Sequence, residues 1–234
     1  MAVAAKPVTL EVCEIFTSIQ GEGTRLGVPS TFVRLLRCNL HCAWCDTTYS
    51  WKDGERVEGM PMSPEAIMRE VQAPDVVLTG GEPMLQDLEP LLGLMGDRHV
   101  TIETNGTIFK PYDRVNLWSI SPKLGSSGHK PNKRVLGEFV AHYGHKLQLK
   151  FVVGGPEDLA AVKDLLGELP EVSERAIPVI LQPVGSPTQG AGEYLEGMRR
   201  TIEEQLLPDP AWRAYHWRFL PQFHRLLWGD KRGI

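Results

Sequence analysis

The chain has 234 residues, with 25 Lys and Arg against 29 Asp and Glu, for a formal net charge of -4. Hydrophobic residues make up 42% and charged residues 23%, which excludes a disordered or fibrous chain and does not make nucleic acid the default partner. No apolar run approaches the ~18 residues of a membrane span, and Lys6, Pro7, Glu11 and Glu14 cut the apolar start at residues 1–5 short of a signal peptide, so a cytoplasmic protein is expected.

Residues 10–16 and 31–36 are short runs with β-branched or aromatic residues and predict strands. Ser63-Pro64 is an N-cap and a first-turn proline, opening a helix with Ile67, Met68 and Val71 on one face. Residues 76–79 predict a strand ending in Gly80-Gly81, and residues 87–95 a helix with Pro90 in its first turn. Strands follow at 100–104 and 115–120. Val135, Leu136, Phe139, Val140 and Tyr143 recur at helical spacing, and residues 147–153 are a strand. Leu159, Val162, Leu165, Leu166 and Leu169 mark a helix behind Gly155-Pro156, before a strand at 177–182. Tyr194, Leu195, Met198, Ile202 and Leu206 mark a helix ending before Pro208, and residues 217–220 a last strand.

Strands alternating with helices argue an α/β fold with a parallel sheet. About six parallel core strands fall between residues 31 and 182, with extra terminal strands. A full (β/α)₈ barrel needs ~250 residues, so a partial (β/α) barrel is expected, as one domain over 1–234. Residues 47–61 and 125–133 are the most linker-like stretches.

The cysteines are Cys13, Cys38, Cys42 and Cys45. Three of them bunched in a cytosolic chain favour a metal site over disulfides, while Cys13, isolated in an apolar stretch, reads as a small buried strand residue. Cys38-Asn39-Leu40-His41-Cys42-Ala43-Trp44-Cys45 is a C-x3-C-x2-C run just after a strand. Three thiolates from one tight loop can cap three irons of a cubane cluster, leaving the fourth iron open to an outside ligand. The alternative is structural zinc with His41 as fourth ligand, although a position inside the loop makes tetrahedral closure awkward. Thr79-Gly80-Gly81-Glu82-Pro83 is the second signal, since paired glycines at a strand end let a ligand approach the backbone. Alone it is a weak signal, since a Gly-Gly turn after a strand is usually just a turn.

Together the two motifs resemble the radical S-adenosylmethionine (SAM) superfamily. That resemblance implies a partial barrel of about six strands and a 4Fe-4S cluster whose open iron takes the amino and carboxylate groups of SAM. Reductive cleavage to methionine and a 5′-deoxyadenosyl radical then starts hydrogen abstraction from a substrate. Further runs are residues 16–23, Arg34, Trp44-Cys45-Asp46-Thr47, Glu103-Thr104-Asn105-Gly106, Ser121-Pro122-Lys123, Gln182-Pro183-Val184 and Gln222-Phe223-His224-Arg225. This set, spanning nearly the whole chain, is similar to the 7-carboxy-7-deazaguanine synthase family.

The family resemblance implies conversion of 6-carboxy-5,6,7,8-tetrahydropterin to 7-carboxy-7-deazaguanine, with ring contraction, ammonia loss, a Mg²⁺ requirement and regeneration of SAM, on the route to queuosine and other 7-deazapurines. It also implies a homodimer and an external one-electron reductant such as a flavodoxin. Carried over by motif, Cys38, Cys42 and Cys45 hold the cluster and Thr47 contacts Mg²⁺. Ile19, Gln20, Gly21, Arg34 and Thr79 meet the substrate, with Glu22 and His224 as further contacts. Gly81, Ser121, Pro122, Lys123, Gln182, Pro183, Val184 and Gly185 meet SAM, and Glu103 is a candidate for its ribose. In some members the chain stops soon after this histidine and a terminal carboxylate approaches the substrate. Here residues 226–234 follow, so that role is not carried over.

The chemistry agrees with these roles. A pterin is flat and offers donors and acceptors along its amino-pyrimidinone edge, which a glutamate and a glutamine can match. A carboxylate suits the planar fork of an arginine, and magnesium prefers hard oxygens. Two rival functions remain open. A glycyl-radical activase shares both core motifs but often carries added cluster cysteines, absent here; a zinc-stabilised binding module or electron carrier would leave the glycine strand end unexplained.

Overall fold

The computed structural model describes residues 8–55, 58–185, 189–229 and 231–234. The readings on residues 1–7 and on Asp230 lie outside them. Nine strands form one sheet in the order β3-β1-β2-β4-β5-β6-β7-β8-β9. They are β1 (Leu10–Ile19), β2 (Pro29–Leu35), β3 (Met60–Met62), β4 (Asp75–Gly80), β5 (His99–Thr104), β6 (Leu117–Ile120), β7 (Leu147–Val153), β8 (Val179–Pro183) and β9 (Trp217–Phe219). From β2 to β9 every neighbouring pair is parallel, while β1 is antiparallel to both β2 and β3. The six expected core strands are β2, β4, β5, β6, β7 and β8. The sheet does not close, because β3 and β9 are its two edges.

The helices are α1 (Pro64–Glu70), α2 (Glu89–Leu92), α3 (Lys133–Tyr143), α4 (Pro156–Gly167), α5 (Glu171–Glu174), α6 (Ala191–Thr201) and α7 (Phe223–Trp228). Ser63 caps α1 as expected, its hydroxyl accepting from Ala66 N at 3.2 Å. On α3, Val135, Leu136, Phe139, Val140 and Tyr143 are all buried, and α4 buries Leu159, Val162, Leu165 and Leu166. Burying such a face is worth ~1.5–3 kcal/mol per large apolar side chain, before the entropy of ordering it is deducted. Cys13 is buried on β1 beside Leu36 and Tyr49.

Some expectations change. The helix over 87–95 shrinks to one turn, α2, because Gly93 and Gly96 follow and Gly96 takes a positive φ. The strand over 115–120 begins only at Leu117, since Val115 N closes a turn on Tyr112 O at 3.3 Å. The stretch 47–61 is less of a linker than expected: Thr48–Ser50 forms a 3₁₀ turn and Met60 begins β3. Among the described residues no helix is long and apolar enough to cross a membrane.

Candidate active site

Period-2 alternation turns one side chain in two of each strand to the concave face. Glu14 of β1 and Arg34 of β2 are cross-strand partners, as are Phe16 and Phe32, whose rings stack at 5.0 Å. Arg34 registers with Thr79 of β4. Thr79 donates from Oγ1 to Glu103 Oε2 of β5 at 2.8 Å. Lys150 of β7 and Gln182 of β8 continue this polar row. All six polar side chains line one cavity of about 810 Å³, and Arg34, Thr79, Glu103 and Gln182 stand at or near the C-terminal ends of parallel strands, where α/β sheets carry their sites.

The segment from Gln20 to Val28 joins β1 to β2 and reaches into the same concavity. Gln20 N donates to Val28 O and Gly27 N to Gln20 O, both at 2.7 Å, which folds the segment on itself. Gln20 Nε2 reaches Glu103 Oε1 at 3.1 Å. Thr24 N is held by Gln148 Oε1 at 2.8 Å. Glu22 accepts from Lys150 Nζ, from Gln182 Nε2 at 3.1 Å and from Gln222 Nε2 at 2.9 Å. Burial by itself would push the Glu22 carboxyl up, yet the Lys150 ammonium and His224 hold it below the usual carboxylate range. Lys150 is held above its ordinary value against the pull of burial by Glu22 and Glu103.

The cysteine loop lines the same cavity. Cys38, Cys42 and Cys45 all line the cavity and all are free thiols. Residues just after β6 tether the loop: His41 N donates to His129 Nε2 at 3.1 Å, Ala43 N to Ser127 O at 3.1 Å and Trp44 Nε1 to Ser126 Oγ at 3.2 Å. Trp51 Nε1 donates to Cys45 Sγ at 3.3 Å. Burial pushes the Cys38 thiol up to about 11 and raises that of Cys42. The Lys123 ammonium opposes that rise at Cys42. Among the described residues no three His, Cys, Asp or Glu side chains converge as ligands of a single ion. Thiols that each cap a different iron do not need to. His41 offers no fourth ligand toward the cavity; its ring stacks on Trp51 at 4.5 Å.

Gly80 and Gly81 pack the end of β4 against the start of this loop. A Cβ on Gly81 would collide with the Arg37 carbonyl, and Gly80 holds φ at 138°. Gly81 N donates to Leu35 O at 3.0 Å and Glu82 N to Arg37 O at 2.7 Å. Glu82 itself works inside the fold. It is fully buried and accepts from Thr104 Oγ1 and Asn105 N at 2.7 Å and from Met84 N at 3.0 Å, joining β4 to the end of β5. Burial raises its carboxyl despite these donors.

Of the expected site residues, Ile19, Gln20, Gly21, Glu22, Arg34, Thr47, Thr79, Gly81, Glu103, Ser121, Lys123, Gln182, Val184, Gly185 and His224 line the cavity with the three cysteines. Pro122 and Pro183 do not; the Pro183 carbonyl accepts from Tyr194 OH at 3.3 Å. Arg34 is already engaged, donating from Nε to Glu14 Oε1 at 2.8 Å, an oxygen that also accepts from Tyr49 OH at 3.0 Å. Thr47 Oγ1 stands 3.6 Å from Cys45 Sγ, and Lys123 Nζ donates to Ser121 Oγ at 2.9 Å.

Three further residues belong to the site. Lys150 was signalled by polar Gln148 and Lys150 alternating with Leu147, Leu149 and Phe151 in an apolar strand. Gln222, two residues before His224, joins Glu22 to Asp46 Oδ2, the latter at 3.3 Å. Arg232 lies 3.7 Å above the Tyr49 ring, so the segment after α7 returns to the cavity wall.

Comparison with known proteins agrees. Residues 33–121 match the model of the Radical SAM superfamily. The 7-carboxy-7-deazaguanine synthase of Halobacterium salinarum is 34% identical over 94% of this chain and 91% of its own. That of Pyrobaculum aerophilum is 35% identical over 96% and 97%. That of Escherichia coli K12 is 30% identical over 92% and 96%. The crystal structure of QueE from Escherichia coli superposes with a TM-score of 0.68 at 28% identity, over 92% of this chain and 95% of that one.

Proposed function

This chain belongs to the 7-carboxy-7-deazaguanine synthases of the radical SAM superfamily, and on that premise we propose how its cavity converts 6-carboxy-5,6,7,8-tetrahydropterin to 7-carboxy-7-deazaguanine with loss of ammonia. The observation that carries the reading is that three free thiols line one cavity together with Arg34, Thr79, Glu103 and Glu22.

The soft donor set and the shared loop fit a 4Fe-4S cluster on Cys38, Cys42 and Cys45. When bound, that cluster and SAM supply the radical that removes a hydrogen from the substrate. The chain's own residues bind, orient and exclude water. Gly81, Ser121, Lys123, Gln182, Val184, Gly185 and Glu103 are assigned to SAM, with the Pro122 and Pro183 backbones completing their loops. Ile19, Gln20, Gly21, Glu22, Thr79 and His224 are assigned to the pterin. Arg34 takes the substrate carboxylate through its η nitrogens, while Glu14 fixes the guanidinium by its Nε. Thr47, with Asp46 beside it, would hold a Mg²⁺ through hard oxygens, and the ion would neutralise charge on the substrate. An external one-electron reductant such as a flavodoxin, a cytoplasmic location, a homodimer and a single domain over 1–234 complete the proposal.

The test is anaerobic turnover with reductant, SAM, Mg²⁺ and the carboxytetrahydropterin, with the product read by mass. Loss of ammonia and formation of the deazaguanine acid support the reading. A colourless, iron-free protein after anaerobic purification and reconstitution would defeat it.

A further inference from the structure

Lys150 is a charged group of the cavity with no part in these assignments. Lys150 stands in the middle of β7, on the face that lines the cavity, and is 7% exposed. A lysine in such surroundings is costly unless it is paired. Its partner is Glu22, which arrives from the segment between β1 and β2.

Glu22 is organised from three directions. Gln182 of β8 and Gln222 before α7 both donate to Oε1, which fills that oxygen. Lys150 donates to Oε2, which keeps acceptor capacity for one further donor. The backbone N of Glu22 donates to Gln20 Oε1 at 3.1 Å, and Gln20 Nε2 goes to Glu103. Glu22, Gln20 and Glu103 therefore form one acceptor-rich ledge along the cavity. The charged groups facing the pair are His224 beside Glu22, Glu103 from β5, Asp46 from the cysteine loop, and Lys123 after β6.

An amino-pyrimidinone edge presents a ring N–H next to an exocyclic amine. Two neighbouring donors want an anionic acceptor; a protonated carboxyl would meet them with its own O–H. Burial favours that protonated form, and the ammonium of Lys150 opposes it. We propose that Lys150 is a positioning residue of the pterin pocket, holding Glu22 as the carboxylate whose Oε2 receives one N–H donor of the substrate's amino-pyrimidinone edge. This rests on the reading of the cavity as a pterin site. Lys150 does not touch the reacting atoms; it acts through Glu22.

The experiment uses the cluster-loaded protein with SAM and Mg²⁺ but no reductant, so nothing turns over. The stable oxidised relative of the substrate, 6-carboxypterin, is titrated and its fluorescence followed between about pH 5.5 and 7.5, a window around the ordinary histidine value and above that of a free carboxyl. Lys150→Met keeps the apolar stem and removes the charge. Its affinity for 6-carboxypterin should fall about tenfold to a hundredfold at neutral pH. The loss should deepen as pH falls, because Glu22, without its cation, takes up a proton inside the window. His224 is present in wild-type and variant alike, so the difference between the two curves isolates Lys150. Lys150→Arg should restore most of the affinity, and the Lys150→Met, Glu22→Gln pair should bind weakly with no added pH dependence. Lys150→Gln gives the same comparison if Lys150→Met does not fold. An affinity and pH profile equal to wild type, or an equal loss of SAM affinity, would overturn the proposal. Failure of the wild-type protein itself to bind 6-carboxypterin would overturn the pterin reading, and this inference with it.

Discussion

Gly21 and His224 are pressed together although 203 positions separate them in the chain. The Gly21 carbonyl accepts from Phe223 N at 2.9 Å, and a Cβ on Gly21 would run into the His224 imidazole. The glycine is what lets the start of α7 close on the segment between β1 and β2. Gly21→Ala should therefore destabilise the protein by about 1–3 kcal/mol, the usual cost of overpacking, and weaken pterin binding. The Gly21→Ala, His224→Ala double variant should recover stability relative to Gly21→Ala alone. Additive losses in thermal unfolding would show that the two positions act independently.

Replacing Cys38, Cys42 or Cys45 singly by alanine should abolish the intact cluster and SAM cleavage. Cys13→Ala should leave both largely intact, because Cys13 is buried with Leu36 and Tyr49 and does not line the cavity. Iron content and the visible absorption of reconstituted protein check this. Loss of the cluster in Cys13→Ala alone would show the ligand set to be wrong.

Arg34→Ala should weaken substrate binding far more than SAM binding, by roughly tenfold to a hundredfold, the worth of a charge-assisted pair. Glu14→Gln should have a smaller effect of the same kind, since it loosens the guanidinium that Glu14 holds at 2.8 Å. Parallel losses of SAM and pterin affinity in Arg34→Ala would place the arginine in another part of the cavity.

Thr47→Val keeps shape but removes a hard oxygen beside the cluster loop. Turnover should fall and lose most of its response to Mg²⁺, with the cluster still formed. The check is Mg²⁺ titration into chelator-treated wild-type and variant enzymes at saturating SAM. Coincident curves would make Thr47 an ordinary turn residue.

The strands of the core were legible because each is a short apolar or β-branched run, and the cysteine loop because its spacing is unusual. The helix expected over 87–95 failed because apolar residues continue past Gly93 to Met95, while the backbone turns at Gly96, which takes a positive φ. Glu82 was legible as part of a motif but not as a buried strut, since its three donors come from Met84, Thr104 and Asn105. The Glu22–Lys150 pair spans 128 positions, and no local pattern encodes such a distance. Only the polar residue at alternate positions in an apolar strand hinted that β7 turns a charge inward. The return of Arg232 to Tyr49 is likewise a tertiary contact with no local signature.

The account turns on SAM and the pterin occupying one cavity, within reach of each other. The most direct measurement is turnover of fully carbon-deuterated carboxytetrahydropterin with unlabelled SAM, followed by the mass of the SAM recovered. Hydrogen abstraction with regeneration of SAM predicts deuterium in SAM, appearing only when the pterin, the reductant and the intact cysteine loop are all present. Product formed at full rate with unlabelled SAM throughout would contradict it.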